Sequence, residues 1–314
     1  VRWGFGELPA LLGGLGIDRP FLVASSRWDT LGIDAAARWD EIPSHRVEPP
    51  DGVDGVMAVG GGSAIDTAKA VSAARGLPLV SVPTTYSGSE WTPFFGVRNP
   101  QRRMVGGGGG AHLEGIVYDP ELTLDLPRPE SVGTALNALA HSAEALYARG
   151  RNPAADEFAL AGAEAIATWL PPVAEDGRDL EAREGLLRGA AAAGEALGRA
   201  GLALGHAIAQ ALGGRYGARH GALNALTLPA ALRFNAPVAG EAIARFGGAL
   251  GTDDPAARVE ELARLGGYER LRDLGIPEEA AAEVGEAVAA RPGAKANPRP
   301  VTPADAEALV RSIW

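Results

Sequence analysis

The sequence predicts an α/β domain over residues 1–127 followed by an all-helical domain over residues 128–314. Two patterns indicate this division. Before residue 128, short apolar runs alternate with segments of helical spacing, which is the order of a parallel sheet with crossover helices. After it, apolar residues recur every three or four positions between Pro and Gly punctuation, which indicates helices without strands.

The α/β domain is predicted from its strand–helix–strand order. Gly55–Val59 is a predicted strand, Ser63–Arg75 has apolar residues at helical spacing, and Leu79–Val82 is the next predicted strand. A unit of this kind joins neighbouring parallel strands. Further strands are predicted at Phe21–Ala24, Phe94–Val97 and Ile116–Tyr118.

Five consecutive glycines, Gly106–Gly110, separate the last two of these strands. Because glycine loses more conformational freedom on folding than any other residue, the run predicts a mobile loop at the tip of a surface hairpin. A flap beside a ligand is the second interpretation of the run.

The helical domain is predicted from four periodic segments, which are Ser131–Tyr147, Ala154–Leu170, Leu180–Leu204 and His206–Leu212. Each has apolar residues at three- and four-residue spacing. No repeat of the solenoid type is present, so we expect a single helical domain.

Composition excludes several classes of function. The formal net charge is −10 at pH 7, which argues against a nucleic-acid surface. The chain has no cysteine, so disulfides, thiolate zinc sites and cysteine nucleophiles are excluded. No apolar run is long enough to span a bilayer and no signal peptide is recognisable, so we expect a cytoplasmic protein without membrane partners.

Three glycines and a serine, Gly60, Gly61, Gly62 and Ser63, stand between a predicted strand and a predicted helix. A backbone without Cβ atoms approaches a diphosphate closely, and a helix N-terminus offers unpaired N–H groups. The spacing is not G-x-G-x-x-G, so the standard dinucleotide fingerprint is absent. We predict a phosphate loop of a different pattern, with Ser63 as helix cap or phosphate donor.

Two further features accompany this loop. Asp66 and Lys69, three residues apart on the helix, form either a solvated contact or a pair that organises the loop. The hydroxyl-rich segment Pro83–Glu90 follows the next strand. Because ligands of doubly wound sheets bind at the carboxyl ends of strands, the two loops predict one ligand crevice.

The helical domain carries polar residues that predict a second part of the site. Asn137 and His141 are four residues apart, hence on one helix face, and His206 and His220 follow around a glycine-rich turn. Three histidines together favour an active site over separate structural roles. Because the fourth member is a neutral Asn, we expect weak binding of any divalent ion.

Several of these stretches together resemble the iron-containing (group III) alcohol dehydrogenase superfamily, and within it the maleylacetate reductases. They are the run Gly60–Lys69, the loop Pro83–Glu90, the string Tyr118–Pro127 and the set of Asn137, His141, His206 and His220. Three details favour the maleylacetate reductases: Tyr86 replaces a small residue, Asn137 replaces an Asp metal ligand, and the tail Asn297–Pro300 is similar.

The resemblance implies the architecture shared by dehydroquinate synthase and group III alcohol dehydrogenases, with NADH or NADPH held by the N-terminal domain. The cofactor contacts it implies are Gly60, Gly61, Gly62, Ser63, Asp66, Thr84, Thr85, Ser87 and Ser25. Ser25, Ser26 and Arg27 follow the first strand where NAD-specific proteins have an acidic residue, so the choice between NADH and NADPH stays open. The set around Asn137 stands where relatives hold a metal, and a vestigial site without bound metal is implied.

The implied activity is reduction of maleylacetate, a small acidic substrate, to 3-oxoadipate, by hydride transfer to a conjugated carbon–carbon double bond in a homodimeric enzyme. The catalytic candidates that stabilise the enolate or donate the proton are His206, His220, His141, Tyr86 and Asn137. Arg98, Arg102 and Arg103 are candidate ligands of substrate carboxylates, or simply a solvated charged hairpin.

Three alternatives stay open at this point. The first is a metal-dependent alcohol or aldehyde dehydrogenase of the same superfamily. The second is a dehydroquinate synthase-like lyase, which consumes no NAD(P)H. The third is a nucleotide-binding protein that has lost its activity.

Overall fold

The computed structural model describes all residues, 1–314. It contains two compact units, Val1–Leu124 and Asp125–Trp314. The first holds all the strands and the second holds helices only, so the predicted fold class is confirmed.

The first unit is built on a six-stranded parallel sheet. The strands of the whole unit are β1 (Arg2–Trp3), β2 (Pro20–Ala24), β3 (Ala37–Trp39), β4 (Gly55–Gly60), β5 (Pro78–Pro83), β6 (Phe95–Arg98), β7 (Met104–Gly108) and β8 (His112–Tyr118). Its helices are α1 (Leu8–Leu15) and α2 (Gly62–Arg75). The sheet order is β1-β8-β5-β4-β2-β3, with every neighbouring pair parallel. The remaining strands, β6 and β7, form a separate antiparallel pair.

Both faces of this sheet are apolar, as expected for parallel strands that are covered on each side. Met57 and Val59 of β4 join one core cluster, on the α1 side. Val56 and Ala58, the alternate residues of the same strand, pack with Ile65 of α2 in the other. This double burial explains why β4 is a continuous apolar run in the sequence.

The five-glycine run is not the tip of a hairpin, and that prediction was wrong. Gly106–Gly108 lie in β7, paired with Phe95–Val97 of β6. The turn lies earlier, where the Arg102 amide donates to the Asn99 carbonyl over 2.8 Å. Strand pairing overrides the low strand propensity of glycine here, because the Phe95 ring packs where a side chain of Gly108 would stand, 2.9 Å from an ideal Cβ.

The second unit is a helical domain. Its helices are α3 (Arg128–Ala145), α4 (Pro153–Glu175), α5 (Leu180–Ala200), α6 (Leu204–Tyr216), α7 (His220–Ala249), α8 (Pro255–Arg264), α9 (Ala280–Ala289), α10 (Pro292–Ala296) and α11 (Pro303–Ser312). Asn152, Asp179, Asp254 and Thr302 cap α4, α5, α8 and α11 with their side chains. None of these helices is both long enough and apolar enough to cross a bilayer.

Three of these helices, α3, α6 and α7, position the polar residues of the unit. The first turn of α7 lies against α3 through two glycines. An ideal Cβ on Gly221 would stand 2.5 Å from the carbonyl oxygen of Gly133. Because neither position has room for a side chain, the backbones touch, and His220 at the start of α7 is brought beside α3.

Candidate active site

The two predicted ligand loops lie side by side at the carboxyl edge of the sheet. β4 and β5 are adjacent and parallel, and Gly60 is the register partner of Pro83. The Thr84 amide donates to the Gly60 carbonyl over 3.0 Å. The glycine loop and the hydroxyl loop therefore form one continuous polar edge.

The glycine loop is sterically closed to side chains at two positions. Gly60 has a φ of 151°, and an ideal Cβ on it would stand 2.8 Å from Ala64 Cβ. An ideal Cβ on Gly61 would stand 2.8 Å from Thr85 Cγ2. The tight turn into α2 thus depends on the absence of both side chains.

The third glycine, unlike the first two, has room for a side chain at ordinary contact distance. An ideal Cβ on Gly62 would have Ser87 Oγ and Ser89 Oγ as its nearest contacts, at 3.6 and 3.7 Å. Close by, Thr85 Oγ1 is buried without a hydrogen-bond partner. A phosphate-bearing ligand fits this position for three reasons. The start of α2 offers free N–H groups, Gly62 has no side chain, and the Thr85 hydroxyl has no hydrogen-bond partner within the protein.

Ser63 is not the helix cap, so that interpretation was wrong. The N-cap position of α2 is Gly61, which has no side chain to bond, and Ser63 lies inside the first turn. Its hydroxyl stays a candidate phosphate donor.

Asp66 and Lys69 tie α2 to the hydroxyl loop. Lys69 is fully buried, and its Nζ donates to the carbonyls of Ser89 and Phe94, the latter over 2.9 Å. Asp66 Oδ1 lies 3.6 Å from the same Nζ. Burial lowers the pKa of Lys69 and raises the pKa of Asp66, while the attraction between the two charges opposes both shifts. Because Lys69 is buried, the solvated-contact interpretation was wrong, and a role of the pair in organising the glycine loop stays a prediction.

A second buried acid closes the hydroxyl loop. Tyr118 Oη donates to Glu90 Oε1 over 2.5 Å, and Trp91 Nε1 donates to the same hydroxyl over 2.8 Å. Burial is the main cause that raises the pKa of Glu90. Glu90 Oε2 is buried without a partner.

The other predicted residues of the first unit occupy varied settings. Ser25 follows β2, and its carbonyl accepts from Arg38 Nη2 over 2.8 Å. Tyr86 is fully buried, with its hydroxyl 3.3 Å from Thr123 Oγ1.

The predicted carboxylate ligands lie on the β6–β7 hairpin. Arg98 is half-buried and donates from Nη1 to the Arg102 carbonyl over 2.9 Å. Burial lowers the pKa of Arg98, and the nearby Asp66 opposes that shift. Arg102 and Arg103 are exposed at the turn.

In the second unit, the structure brings together the four polar residues that the sequence singled out. Asn137 and His141 lie on α3, His206 on α6 and His220 on α7. The rings of His141 and His206 are stacked, with centroids 4.7 Å apart and planes at 17°. The rings of His206 and His220 are 5.5 Å apart and tilted by 52°.

An amide bridge joins the outer two histidines. Asn224 Nδ2 donates to Asn137 Oδ1 over 2.6 Å and lies 3.1 Å from His220 Nε2. Asn137 Nδ2 in turn lies 3.5 Å from His141 Nε2. The two amides therefore direct N–H groups at ring nitrogens of both imidazoles.

The central histidine is held by a carboxylate. Glu144 of α3 is fully buried, and its Oε2 lies 2.8 Å from His206 Nδ1. The opposite ring nitrogen, His206 Nε2, is buried without a hydrogen-bond partner. His206 therefore has one satisfied nitrogen and one nitrogen available to a ligand.

The surroundings of His141 disfavour a positive charge on its ring. Burial lowers the pKa of His141 well below its usual value, and the positive charges that His206 and His220 would carry lower it further. A catalytic role of His141 stays a prediction.

The donors of this cluster fit a divalent iron ion poorly. Asn137 and the three histidines bring no negative charge, and divalent sites favour at least one carboxylate or thiolate among their ligands. Nε2 of His141 and Nε2 of His220 face amide nitrogens rather than open space.

Glu144 and Asn224 were not among the predicted site residues. Glu144 follows His141 by three residues on α3, and Asn224 follows His220 by four on α7. Both spacings put a residue on the same helix face as its histidine. That periodicity was the available signal, although it does not reveal that Glu144 pairs with the histidine of another helix.

Comparisons with known proteins identify the family of this chain. The profile of the C-terminal part of the Fe-containing alcohol dehydrogenase family matches residues 131–314, and the profile described as iron-containing alcohol dehydrogenase matches residues 49–109. The maleylacetate reductase of Sphingobium indicum is 40% identical over 250 residues, which cover 79% of this chain and 70% of that protein.

Solved structures give the same picture over the full length. The iron-containing alcohol dehydrogenase of Corynebacterium glutamicum is 30% identical with a TM-score of 0.88, covering 100% of this chain and 94% of that one. The maleylacetate reductase of a Rhizobium species is 30% identical with a TM-score of 0.86, covering 100% and 96%. The chain belongs to the iron-containing alcohol dehydrogenase family.

Proposed function

We propose that the protein is an NAD(P)H-dependent reductase that converts maleylacetate to 3-oxoadipate without a bound metal. The observation that carries the proposal is the cluster of three histidines whose fourth member is Asn137, in a chain similar to maleylacetate reductases. The overall reaction consumes one NAD(P)H and one proton and saturates the carbon–carbon double bond.

The cofactor is assigned to the polar edge formed by the two loops of the α/β unit. Reduced nicotinamide supplies a hydride when it is bound. The backbone at Gly61 and Gly62 and the hydroxyls of Thr85 and Ser87 bind and orient its diphosphate half. The first acidic residue after β2, Asp29, is paired with Arg38 at 2.6 Å, so both NADH and NADPH are included.

Maleylacetate is a dianion, so the site needs positive charge in a chain whose net charge is −10. Arg98, Arg102 and Arg103 are the proposed ligands of its carboxylates. A guanidinium binds a carboxylate through two parallel hydrogen bonds. Partial burial of Arg98 strengthens such a pair, because the guanidinium has already lost part of its water.

His206 is the proposed proton donor. Addition of a hydride to the conjugated double bond leaves negative charge on the enolate oxygen, and the adjacent carbon must then take up a proton. We assign this step to Nε2 of His206, a buried ring nitrogen whose opposite nitrogen, Nδ1, is held by Glu144. The Glu144 carboxylate beside Nδ1 balances the positive charge of the imidazolium before it gives up the proton.

Asn137 supports a reaction without metal. An amide ligand removes the negative charge that holds a divalent ion in place. In that case N–H groups of the histidine cluster stabilise the negative charge of the enolate. The amide bridge from Asn224 through Asn137 keeps the rings of His141 and His220 in position for that role.

The test is a substrate panel of maleylacetate, simple aldehydes, semialdehydes and polyols, with the loss of nicotinamide absorbance and the product both measured. We expect one NAD(P)H consumed per 3-oxoadipate formed, and rates on aldehydes at least 100-fold lower. Preferred turnover of an aldehyde or polyol would overturn the assignment in favour of an alcohol dehydrogenase. Conversion of substrate with no NAD(P)H consumed would overturn it in favour of a lyase.

A further inference from the structure

Glu144 is a buried acid in α3 that makes no contact with solvent. Its two oxygens accept three hydrogen bonds from the start of α6. The Ala203 amide donates to Oε2 over 2.6 Å, and the His206 amide donates to Oε1 over 3.1 Å. The third donor is the His206 ring, with Nδ1 at 2.8 Å from Oε2.

This carboxylate takes the place of a helix cap. The N-cap residue of α6 is Ala203, which has no side-chain acceptor for the free amides of the first turn. Glu144 supplies that acceptor from a different helix, where the helix dipole also favours a negative charge. Its position is therefore fixed by backbone groups, independently of the ring that it holds.

Gly205 makes room for this arrangement. An ideal Cβ on Gly205 would stand 2.9 Å from Glu144 Oε1. Any larger residue forces the carboxylate to move, and the fully buried surroundings leave it little space to do so. The Glu144 carboxylate therefore fits at this position because Gly205 has no side chain.

We propose that Glu144 is a positioning residue that keeps a proton on His206 Nδ1, so that Nε2 is the nitrogen that gives its proton to the substrate and the neutral ring left behind is the Nδ1-protonated tautomer. The inference rests on the proposed role of His206 as proton donor. An ionised carboxylate only accepts hydrogen bonds, so Nδ1 of His206, 2.8 Å from Glu144 Oε2, makes a hydrogen bond there only when it carries a proton. In the other tautomer the Nδ1 lone pair would face the Glu144 carboxylate, and the lone pair and the carboxylate would repel each other.

The neighbours of His206 fix the ring plane but not the tautomer. His141 stacks on one face at a centroid distance of 4.7 Å, and His220 is tilted against the ring at 5.5 Å. Neither makes a hydrogen bond to Nδ1 or Nε2 of His206. Glu144 is therefore the group that decides which nitrogen is available.

The test uses Glu144→Gln and Gly205→Ala, with Thr227→Val as the matched control. Thr227 Oγ1 donates to the Gly205 carbonyl over 3.0 Å, so the control loses a hydrogen bond to the same turn without touching the His206 ring. Side-chain nitrogen NMR reads the tautomer directly, and the chain has five histidines to assign. Steady-state kinetics with maleylacetate separate kcat from KM.

We expect the wild type and Thr227→Val to show the Nδ1-protonated signature for His206. We expect Glu144→Gln to lose it and to lower kcat by about 10- to 100-fold, the usual effect of losing a group that orients a functional histidine, with the KM for NAD(P)H unchanged. Gly205→Ala should lower kcat in the same direction by a smaller factor, and it provides the test if Glu144→Gln does not fold.

Two outcomes would overturn the proposal: an unchanged His206 signature in both variants, or an equal loss of kcat in Thr227→Val. A third outcome separates it from the proposed function. If the wild type does not reduce maleylacetate while Glu144→Gln still changes the tautomer, Glu144 positions His206 as stated and the substrate assignment fails.

Discussion

The glycine at the start of α2 allows ligand binding and protein stability to be separated. In Gly62→Ala the new methyl group meets nothing closer than 3.6 Å within the protein, so the fold accommodates it. Replacing glycine at a compatible position stabilises a protein by about 0.4–1 kcal/mol, because the unfolded chain loses freedom. The melting temperature should therefore stay the same or rise slightly.

Binding of the cofactor should respond in the opposite direction. The methyl group would project between the two loops, toward Ser87 and Ser89, into the space assigned to the diphosphate. Loss of one hydrogen bond to a charged group costs about 1.5–3 kcal/mol. We therefore expect the Kd for NADPH to rise by roughly 10- to 150-fold.

The assay is titration of NADPH fluorescence, with a thermal melt of each variant. Gly13→Ala in α1 is the matched control, since Gly13 is exposed and an ideal Cβ there also meets nothing within 4 Å. It should melt like Gly62→Ala and bind NADPH like the wild type. A Gly62→Ala protein with wild-type affinity would refute the placement of the cofactor at this loop.

Three further predictions address the other polar clusters. Asn137→Asp supplies the missing negative charge, so its affinity for ferrous or zinc ion should exceed that of the wild type by at least tenfold in calorimetric titration; equal affinities would count against the donor-set argument. Lys69→Met removes the hydrogen bonds to Ser89 of the hydroxyl loop and to Phe94 beyond it, so it should raise the KM for NAD(P)H about tenfold with kcat changed less than twofold, and a loss confined to kcat would contradict it. Glu90 has its pKa raised by burial, so the stability it contributes is fully present below its unfolded pKa of about 4.5 and is lost as the pH rises through the folded value. Glu90→Gln lacks this loss, so its unfolding free energy relative to wild type should increase from about pH 4.5 upward in denaturant titrations, and a difference independent of pH would refute the reasoning.

Local sequence patterns were sufficient to predict the main strands and helices near the candidate site. The run Gly55–Val59 and the glycines after it predict β4 and its turn because strand, glycine and helix signals are adjacent in the chain. Asn137 and His141 are found in the same way, from spacing on one helix. Each inference depends on neighbours within a few residues.

The features that the sequence did not reveal depend on distant contacts. Glu144 acts on His206 from 62 positions away, and no local pattern indicates that pairing. A lysine is expected at the surface from its residue type. Lys69 is nevertheless buried, because carbonyls 20 and 25 residues further along the chain accept hydrogen bonds from its ammonium group. The glycines of β7 form a strand because β6 pairs with them, which overrides their own propensity.

Activity of the histidine cluster without a metal is measured on protein treated with a chelator. Elemental analysis should first establish that the sample is metal-free, and NAD(P)H oxidation with maleylacetate is then measured before and after ferrous ion is restored. We expect the same kcat in both samples. Activity that is absent from the metal-free protein and returns with iron would contradict it.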